Sequence, residues 1–180
     1  MYTVSVLIRI SSLLSVIVVS LIACQRNPAL SKAESGGLGL LRSSWEDLHG
    51  PSIGEDSASV RYRLQRTEIS LNFSNANSAS YVAIQYPDGD PESLEDARTL
   101  ARTLIPIDSL HIGTYHASTG GIVDSYVSLS LARLNKDWDG EKPGSFVVWY
   151  ENEKDVIAFT IRIGKGPPAT GSSSPLKIGH

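Results

Sequence analysis

The sequence predicts an α+β fold in which an antiparallel sheet carries two helices packed on one of its faces. Several short segments alternate apolar and polar residues, which is the pattern of a half-buried strand. Two segments with helix start and stop signals divide these strands into two groups. The resulting order is helix, three strands, helix and about four strands, which is compatible with two copies of one α-β-β-β unit.

The first predicted helix is short and ends before Gly50, which can take a left-handed conformation, and Pro51, which prevents continuation. Leu41, Trp45 and Leu48 recur at the spacing of one helical stripe. A helix of two turns is not stable by itself in water. We therefore expect Trp45 to be buried against the sheet.

Three strands with short connections follow this helix, and we expect them to form an antiparallel meander: Val60–Leu64, Glu68–Phe73 and Ser80–Tyr86. The second helix begins at Asp90-Pro91, with Asp90 as the N-cap and Pro91 as the first helical residue. It ends before Pro106.

The second group of strands is predicted from the same alternation: Leu110–His116, Asp124–Leu131, Ser145–Tyr150 and Val156–Ile163. Gly113 interrupts the first of them and indicates a bulge. In Asp124–Leu131, the apolar residues Leu129 and Leu131 alternate with serines. In the last strand, Ile157 is expected to share one apolar face with the residues at 159, 161 and 163.

The chain divides into four predicted regions. Residues 1–23 form a lipoprotein signal peptide, and residues 24–37 form a flexible tether that is polar and rich in Pro and Gly. Residues 38–163 form a single α+β domain, long enough to bury one hydrophobic core. Residues 164–180 have the Pro, Gly and Ser bias of a disordered tail.

Residues 10–23 are free of charge, but they are fewer than the roughly 20 apolar residues that span a bilayer. They lead into Leu21-Ile22-Ala23-Cys24, which resembles the lipobox of bacterial lipoproteins. The resemblance implies that Cys24 is lipidated and that the chain is cleaved before it. An uncleaved signal anchor over residues 1–23 is the alternative, and both place the domain outside the cytoplasm.

The lipid on Cys24 would hold the protein at the cell membrane or the outer membrane. Gln25 follows the cysteine where Asp would resemble an inner-membrane retention signal. Cys24 is the one cysteine of the chain, so no disulfide can form within it. The net charge of −3 argues against nucleic acid as a partner.

The start of the predicted domain carries a second resemblance. Gly39, Leu40, Trp45, Gly50 and Pro51 are similar to the first helix of small extracytoplasmic α+β domains. These include small outer-membrane assembly lipoproteins and β-lactamase inhibitor proteins, as well as uncharacterised bacterial lipoproteins. The resemblance implies a short helix packed on an antiparallel sheet, in a module that binds other proteins.

One loop has the spacing of a calcium site. Asn135, Asp137 and Asp139 stand at positions 1, 3 and 5, and Gly140 stands at position 6. Phe146 occupies position 12, where such a loop needs a bidentate carboxylate. A hydrophilic loop between two strands explains these residues equally well, and the sequence indicates no other metal or cofactor.

Candidate contact residues lie on one strand and in this loop. Arg61 and Arg63 alternate with apolar residues and would form a basic row on one sheet face, which solvated cross-strand pairs also explain. Trp138 lies among charged residues, so we expect it to be exposed and to contact a partner.

The sequence contains no nucleophile elbow, phosphate loop or dinucleotide fingerprint. The predicted function is therefore non-catalytic: a membrane-anchored lipoprotein that binds another envelope protein. The alternatives are an envelope lipoprotein that binds a small ligand or ion and, less favoured, an envelope hydrolase.

Overall fold

The computed structural model describes residues 29–74, 77–87, 90–134, 138 and 141–170. Their architecture is an open eight-stranded antiparallel sheet with few helices. The antiparallel sheet that the sequence predicts is confirmed. The two-helix layer on one face is not clearly a feature of the fold, because the sheet supplies most of the structure.

The strands and helices have the following bounds. The strands are β1 (Gly54–Glu55), β2 (Val60–Leu64), β3 (Thr67–Phe73), β4 (Ala79–Gln85), β5 (Leu110–His116), β6 (Ile122–Val127), β7 (Ser145–Glu151) and β8 (Ala158–Ile163). The helices are α1 (Arg42–His49), α2 (Leu94–Leu104) and α3 (Leu129–Ala132).

The strand order is β1-β2-β3-β4-β8-β7-β6-β5. Two four-stranded meanders are thus joined where β4 pairs with β8, from Tyr81 opposite Arg162 to Gln85 opposite Ala158. The two edges differ greatly, because β1 has two residues whereas β5 has seven. The predicted bulge at Gly113 is confirmed, since the register of β5 shifts between His111 and Gly113.

One hydrophobic cluster forms the main core. In β2, Val60 and Tyr62 are buried while the alternate residues are exposed, which follows from the period of two in a strand. Trp45 of α1 and Leu104 of α2 are fully buried in this cluster together with the inward residues of the sheet. The predicted burial of Trp45 is confirmed.

The folded region begins earlier than predicted. Leu30 is buried, and its N–H donates to the carbonyl of Gly39 at 2.9 Å. At Gly36, a Cβ atom would lie 1.9 Å from the carbonyl oxygen of Thr103, so this glycine permits close packing on the end of α2. The predicted tether therefore extends too far, because Leu30 and residues 35–37 are packed against the fold.

The folded region also ends later than predicted. The Tyr115 hydroxyl donates to the carbonyl of Pro167 at 2.9 Å, and the N–H of Thr170 donates to the carbonyl of His116 at 2.8 Å. Residues 164–170 therefore pack on the sheet. The predicted start of a disordered tail at Gly164 is too early, and residues 171–180 lie outside the described residues.

The predicted strand Asp124–Leu131 is too long. After β6 ends at Val127, Ser128 caps α3 by accepting the N–H of Leu131 at 3.0 Å. The change from strand to helix breaks the expected alternation. Leu129 is 79% exposed, whereas Leu131 is fully buried.

The starts of α2 and β8 also differ from the prediction. Ser93, not Asp90, caps α2, since its hydroxyl oxygen accepts the N–H of Asp96 at 3.1 Å. Val156 is buried and forms an isolated bridge with Glu92, whereas Ile157 is exposed. The predicted apolar face therefore begins at position 159, because β8 begins at Ala158.

The predicted signal peptide and Cys24 lie outside the described residues. Within the part of the chain that is described, no helix combines the length and the apolar character needed to cross a bilayer.

Candidate functional site

The face of the sheet that points away from the main core is called the open face here. It consists of the strand residues that alternate with the core residues, and its longest row follows the strand register across seven strands: Arg61, Ser70, Ala83, Thr160, Trp149, Val123 and Tyr115. A neighbouring row contains Asn72, Tyr81, Arg162, Val147, Ser125 and Gly113.

The centre of the open face has small side chains, at Ser70, Ala83 and Thr160. Tyr81 and Trp149 stand beside them and are both partly buried. Burial raises the pKa of the Tyr81 hydroxyl, as does the charge of Glu151, so this phenol stays protonated at neutral pH. A shallow centre beside two aromatic rings can accept the side chains of another protein.

One end of the open face is covered. Ala117, Val123 and Val147 form a second, small hydrophobic cluster, against which Tyr115 and Trp149 pack. Residues 164–170 cross this end, running from the start of β7 to the end of β5. Among the described residues, the part of this face left uncovered is therefore the half formed by β2, β3, β4 and β8, together with the Trp149 side of β7.

The predicted residues Arg61 and Arg63 lie on this uncovered half and are exposed. The Arg61 guanidinium is 3.6 Å from the carboxylate of Glu68, and Arg63 is the register partner of Glu68. This ion pair is of the solvated, cross-strand kind that the sequence left open as an alternative to partner contact. The arginines remain available for contact, since surface ion pairs of this kind contribute little to stability.

Trp138 does not lie where the sequence analysis expected it. It is partly buried and packs against the main hydrophobic cluster, so the expected exposure of its side chain is wrong, while its contact with a partner stays a prediction. Its apolar ring gains more from the core than from solvent, although its sequence neighbours are charged. The calcium candidates Asn135, Asp137 and Asp139 lie outside the described residues.

A cleft of about 690 Å³ lies on the opposite side of the sheet from the open face, beside α2. At its base, Asp124 is nearly fully buried and accepts two hydrogen bonds from Arg98, at 2.9 and 3.0 Å. The hydroxyl of Thr114 donates to the same carboxylate at 2.6 Å. Hydrogen bonding to Asp124 raises the pKa of the Arg98 guanidinium, which therefore stays charged at neutral pH.

The rim of the cleft adds His111, whose Nε2 atom lies 3.2 Å from the Thr114 hydroxyl and 3.8 Å from Asp124. The order of these groups differs from that of a hydrolytic triad, in which the imidazole stands between the hydroxyl and the carboxylate. Here the hydroxyl bonds the carboxylate directly. The geometry therefore fits a structural ion pair better than an activated nucleophile.

Sequence reasoning missed the pair of Arg98 and Asp124. The signal was present in part, because Asp124 shares the inward phase of β6 with Ile122 and Tyr126. A carboxylate in the inward phase of a strand requires a partner, since burying an unpaired charge is costly. That the partner comes from α2 could not be read from either segment alone.

Among the described residues, no group of three or more His, Cys, Asp and Glu side chains could hold a metal ion. Comparison with known protein families, curated proteins and solved structures finds no match to this chain.

Proposed function

We propose that this chain is a membrane-anchored, extracytoplasmic lipoprotein that acts as a non-catalytic protein-binding module, and that it binds its partner through the uncovered half of the open face. The observation that carries the proposal is the row from Arg61 through Ala83 and Thr160 to Trp149. It forms a continuous surface across several strands, with small residues at its centre.

The composition of this surface supports a protein partner. Tyr, Trp and Arg are the residues that most often dominate the energetics of protein interfaces. Tyr81 and Trp149 supply the aromatic area, and Arg61 and Arg63 supply charges at the margin. Charges at the margin would increase the rate of association with an acidic partner more than they would slow its dissociation.

The membrane anchor follows from the sequence of the lipobox. Lipidation of Cys24 would confine the domain to a membrane surface outside the cytoplasm, so that the partner is expected to be an envelope protein. We also propose that α1 and α2 form a layer on the cleft side of the sheet. Each helix would then belong to one of two copies of an α-β-β-β unit. That arrangement would leave the open face free for the partner.

The test is crosslinking in intact cells, followed by affinity purification and mass spectrometry. Ala83→Lys places a long charged side chain at the centre of the face, and Arg61→Ala removes a charge at its margin. Ala83→Lys is expected to lose a reproducible envelope partner, and Arg61→Ala is expected to recover less of it, because a charge at the margin affects mainly the rate of association. Arg133→Ala is the matched control, because Arg133 is an exposed arginine at the end of α3, pairs with Glu34 and belongs to no strand of the open face.

The same sample reports whether the N-terminal peptide begins at an acylated Cys24. A partner that is retained in Ala83→Lys would refute the open face as the binding surface. A protein that crosslinks to nothing would refute the binding module and favour the second candidate, a small-ligand lipoprotein. The specific observation for that candidate is the cleft beside Asp124, with Arg102 and His111 on its rim.

A further inference from the structure

The cleft beside α2 presents a positively charged surface. The ion pair at its base is unequally exposed, since the side chain of Asp124 is 3% exposed and that of Arg98 is 24% exposed. Asp124 is also the one acid among the described residues that line the cleft. Arg102 lines the same cleft about one helical turn beyond Arg98, because residues four apart lie on one face of a helix. A ligand that enters the cleft would therefore meet two guanidinium groups.

The guanidinium of Arg98 is held in place while part of it stays free for a ligand. Its Nε and Nη2 atoms donate to Asp124 at 2.9 and 3.0 Å. Its Nη1 atom, which carries two hydrogens, donates to no acceptor among the described residues. On the other side, the Cζ atom of Arg98 lies 5.9 Å from the ring centroid of Tyr150, which is fully buried. Asp124 and Tyr150 therefore orient Arg98 without using the hydrogens of Nη1.

The second arginine of the cleft has a partner that it can exchange. Arg102 pairs with Glu95 at 3.3 Å, and the two side chains are 59% and 70% exposed. Glu95 does not line the cleft. An ion pair that is this exposed contributes little free energy. Arg102 can therefore turn from Glu95 to an anion in the cleft at small cost.

Tyr126 adds a neutral donor beside the two arginines. Burial raises the pKa of its hydroxyl, and the charge of Asp124 adds to this, so the phenol keeps its proton at neutral pH. Its ring stacks on Phe146, with the centroids 5.2 Å apart and the planes 10° apart. The edge of the ring pair with His111 has the same centroid distance of 5.2 Å. Tyr126 is thus positioned by its ring contacts, and its hydroxyl can donate to a ligand.

The lining also has an apolar wall. Ile105, Pro106 and Ile107 line the cleft directly after the end of α2. Ile107 is 77% exposed, so its apolar surface is available for contact. A ligand that fits this lining has a charged end for the arginines and an apolar part for the wall.

We propose that the cleft binds a small organic oxyanion, either a carboxylate or a phosphate ester, whose charged group lies between Arg98 and Arg102 and whose apolar part lies against residues 105–107. Guanidinium groups suit both kinds of anion, because their N–H groups match the paired oxygens of carboxylate and phosphate. The proposal rests on the second candidate function, a small-ligand lipoprotein, and names its ligand class. It does not depend on a partner at the open face, which lies on the other side of the sheet.

The test is an NMR titration of the isotope-labelled full chain in mild detergent with benzoate, phenyl phosphate and benzamide. Benzamide has nearly the shape of benzoate but no charge, so it measures the apolar contact alone. We expect at least one of the two anions to bind about tenfold more tightly than benzamide, because hydrogen bonds to charged groups are the stronger ones. The tighter anion distinguishes a carboxylate site from a phosphate site. Equal binding of the anions and benzamide would overturn the proposal, and so would the binding of none of the three.

Two substitutions on α2 should change the affinity for the tighter anion in opposite directions. Arg102→Met removes one guanidinium and should weaken binding about tenfold. Glu95→Gln removes the acid that competes for Arg102 and should strengthen binding about twofold. A merely structural role of the Arg102 pair with Glu95 would not produce this opposition. Unchanged affinity in Arg102→Met, or weaker binding in Glu95→Gln, would contradict the proposed site.

Arg66→Met is the matched control. Arg66 is an exposed arginine with its own acidic partner, Asp90, and it does not line the cleft. Its substitution should leave the affinity unchanged. A loss of affinity equal to that of Arg102→Met would show that the overall charge attracts the anion, and would overturn the proposal. Failure of this test leaves the protein partner of the open face unaffected, because that partner is tested with Ala83→Lys in a separate experiment.

Discussion

The ion pair of Arg98 and Asp124 gives the sharpest prediction about stability. The Asp124 side chain is 3% exposed and the Arg98 side chain is 24% exposed. Arg98→Met removes two charge-assisted hydrogen bonds and leaves the carboxylate with the Thr114 hydroxyl, while His111 stands 3.8 Å away. The substitution keeps much of the apolar stem, so that the lost charge dominates the effect.

The expected magnitude follows from the burial of the two groups. Removing one partner of a buried pair costs about 3–5 kcal/mol, because an uncompensated charge remains. Arg98 is partly exposed, and water can replace some of its hydrogen bonds, so we expect about 2–4 kcal/mol. Replacing both partners in Arg98→Met/Asp124→Leu removes the stranded charge, and the double variant should therefore be more stable than Arg98→Met.

Urea denaturation, followed by tryptophan fluorescence, measures the free energy of unfolding of each variant. The double-mutant cycle should give a coupling energy of about 1–3 kcal/mol between the two side chains. Arg102→Met is the control on the same helix, because its side chain is 59% exposed and its ion pair with Glu95 is 3.3 Å long. Its cost should be below about 1 kcal/mol. Additive effects of the Arg98 and Asp124 substitutions would refute the pairing.

Two further predictions concern the core and the capping of α3. Trp45→Ala should lower the free energy of unfolding by about 3–5 kcal/mol, because Trp45 is fully buried. Trp45→Phe should cost less in the same denaturation assay, since its indole nitrogen has no hydrogen-bond partner within the described residues. Burial raises the pKa of the Asp108 carboxyl, but hydrogen bonds from Ser128 and Ser130 outweigh burial and leave that pKa lowered. A lowered folded-state pKa stabilises the fold above the unfolded value, and this contribution is lost as the pH falls through the folded value. Asp108→Asn should therefore cost about 1 kcal/mol at pH 7, and the difference from the parent should shrink below about pH 4. A pH-independent difference would contradict the role of the Asp108 charge.

Local patterns predicted most strands because a strand's alternation depends on which of its own side chains are apolar. They failed at Ser128, where a serine that could continue a strand instead caps α3. They also failed at Gly36, where glycine was interpreted as a flexible residue. In the fold it allows the chain to pass close to the Thr103 carbonyl, which no local pattern reports.

The candidate surfaces show the same division. The alternation of Arg61 and Arg63 with apolar residues identified one strand of the open face. The neighbours of that strand on the face, such as Ala83 and Thr160, carry no signal of their own, because small residues are common in every strand. Trp138 was misassigned, since its position among charged residues in the sequence does not report the hydrophobic cluster against which it packs.

The sequence alone determined the alternation of the strands, the burial of Trp45 and the bulge at Gly113, because each depends on residues that are adjacent in the chain. The tertiary structure decided the rest. The pairing of β4 with β8 joins two meanders that are distant in the sequence, and Arg98 reaches Asp124 across 26 positions. Such contacts depend on how segments that are distant in the sequence pack against each other. Neither segment alone therefore predicts them.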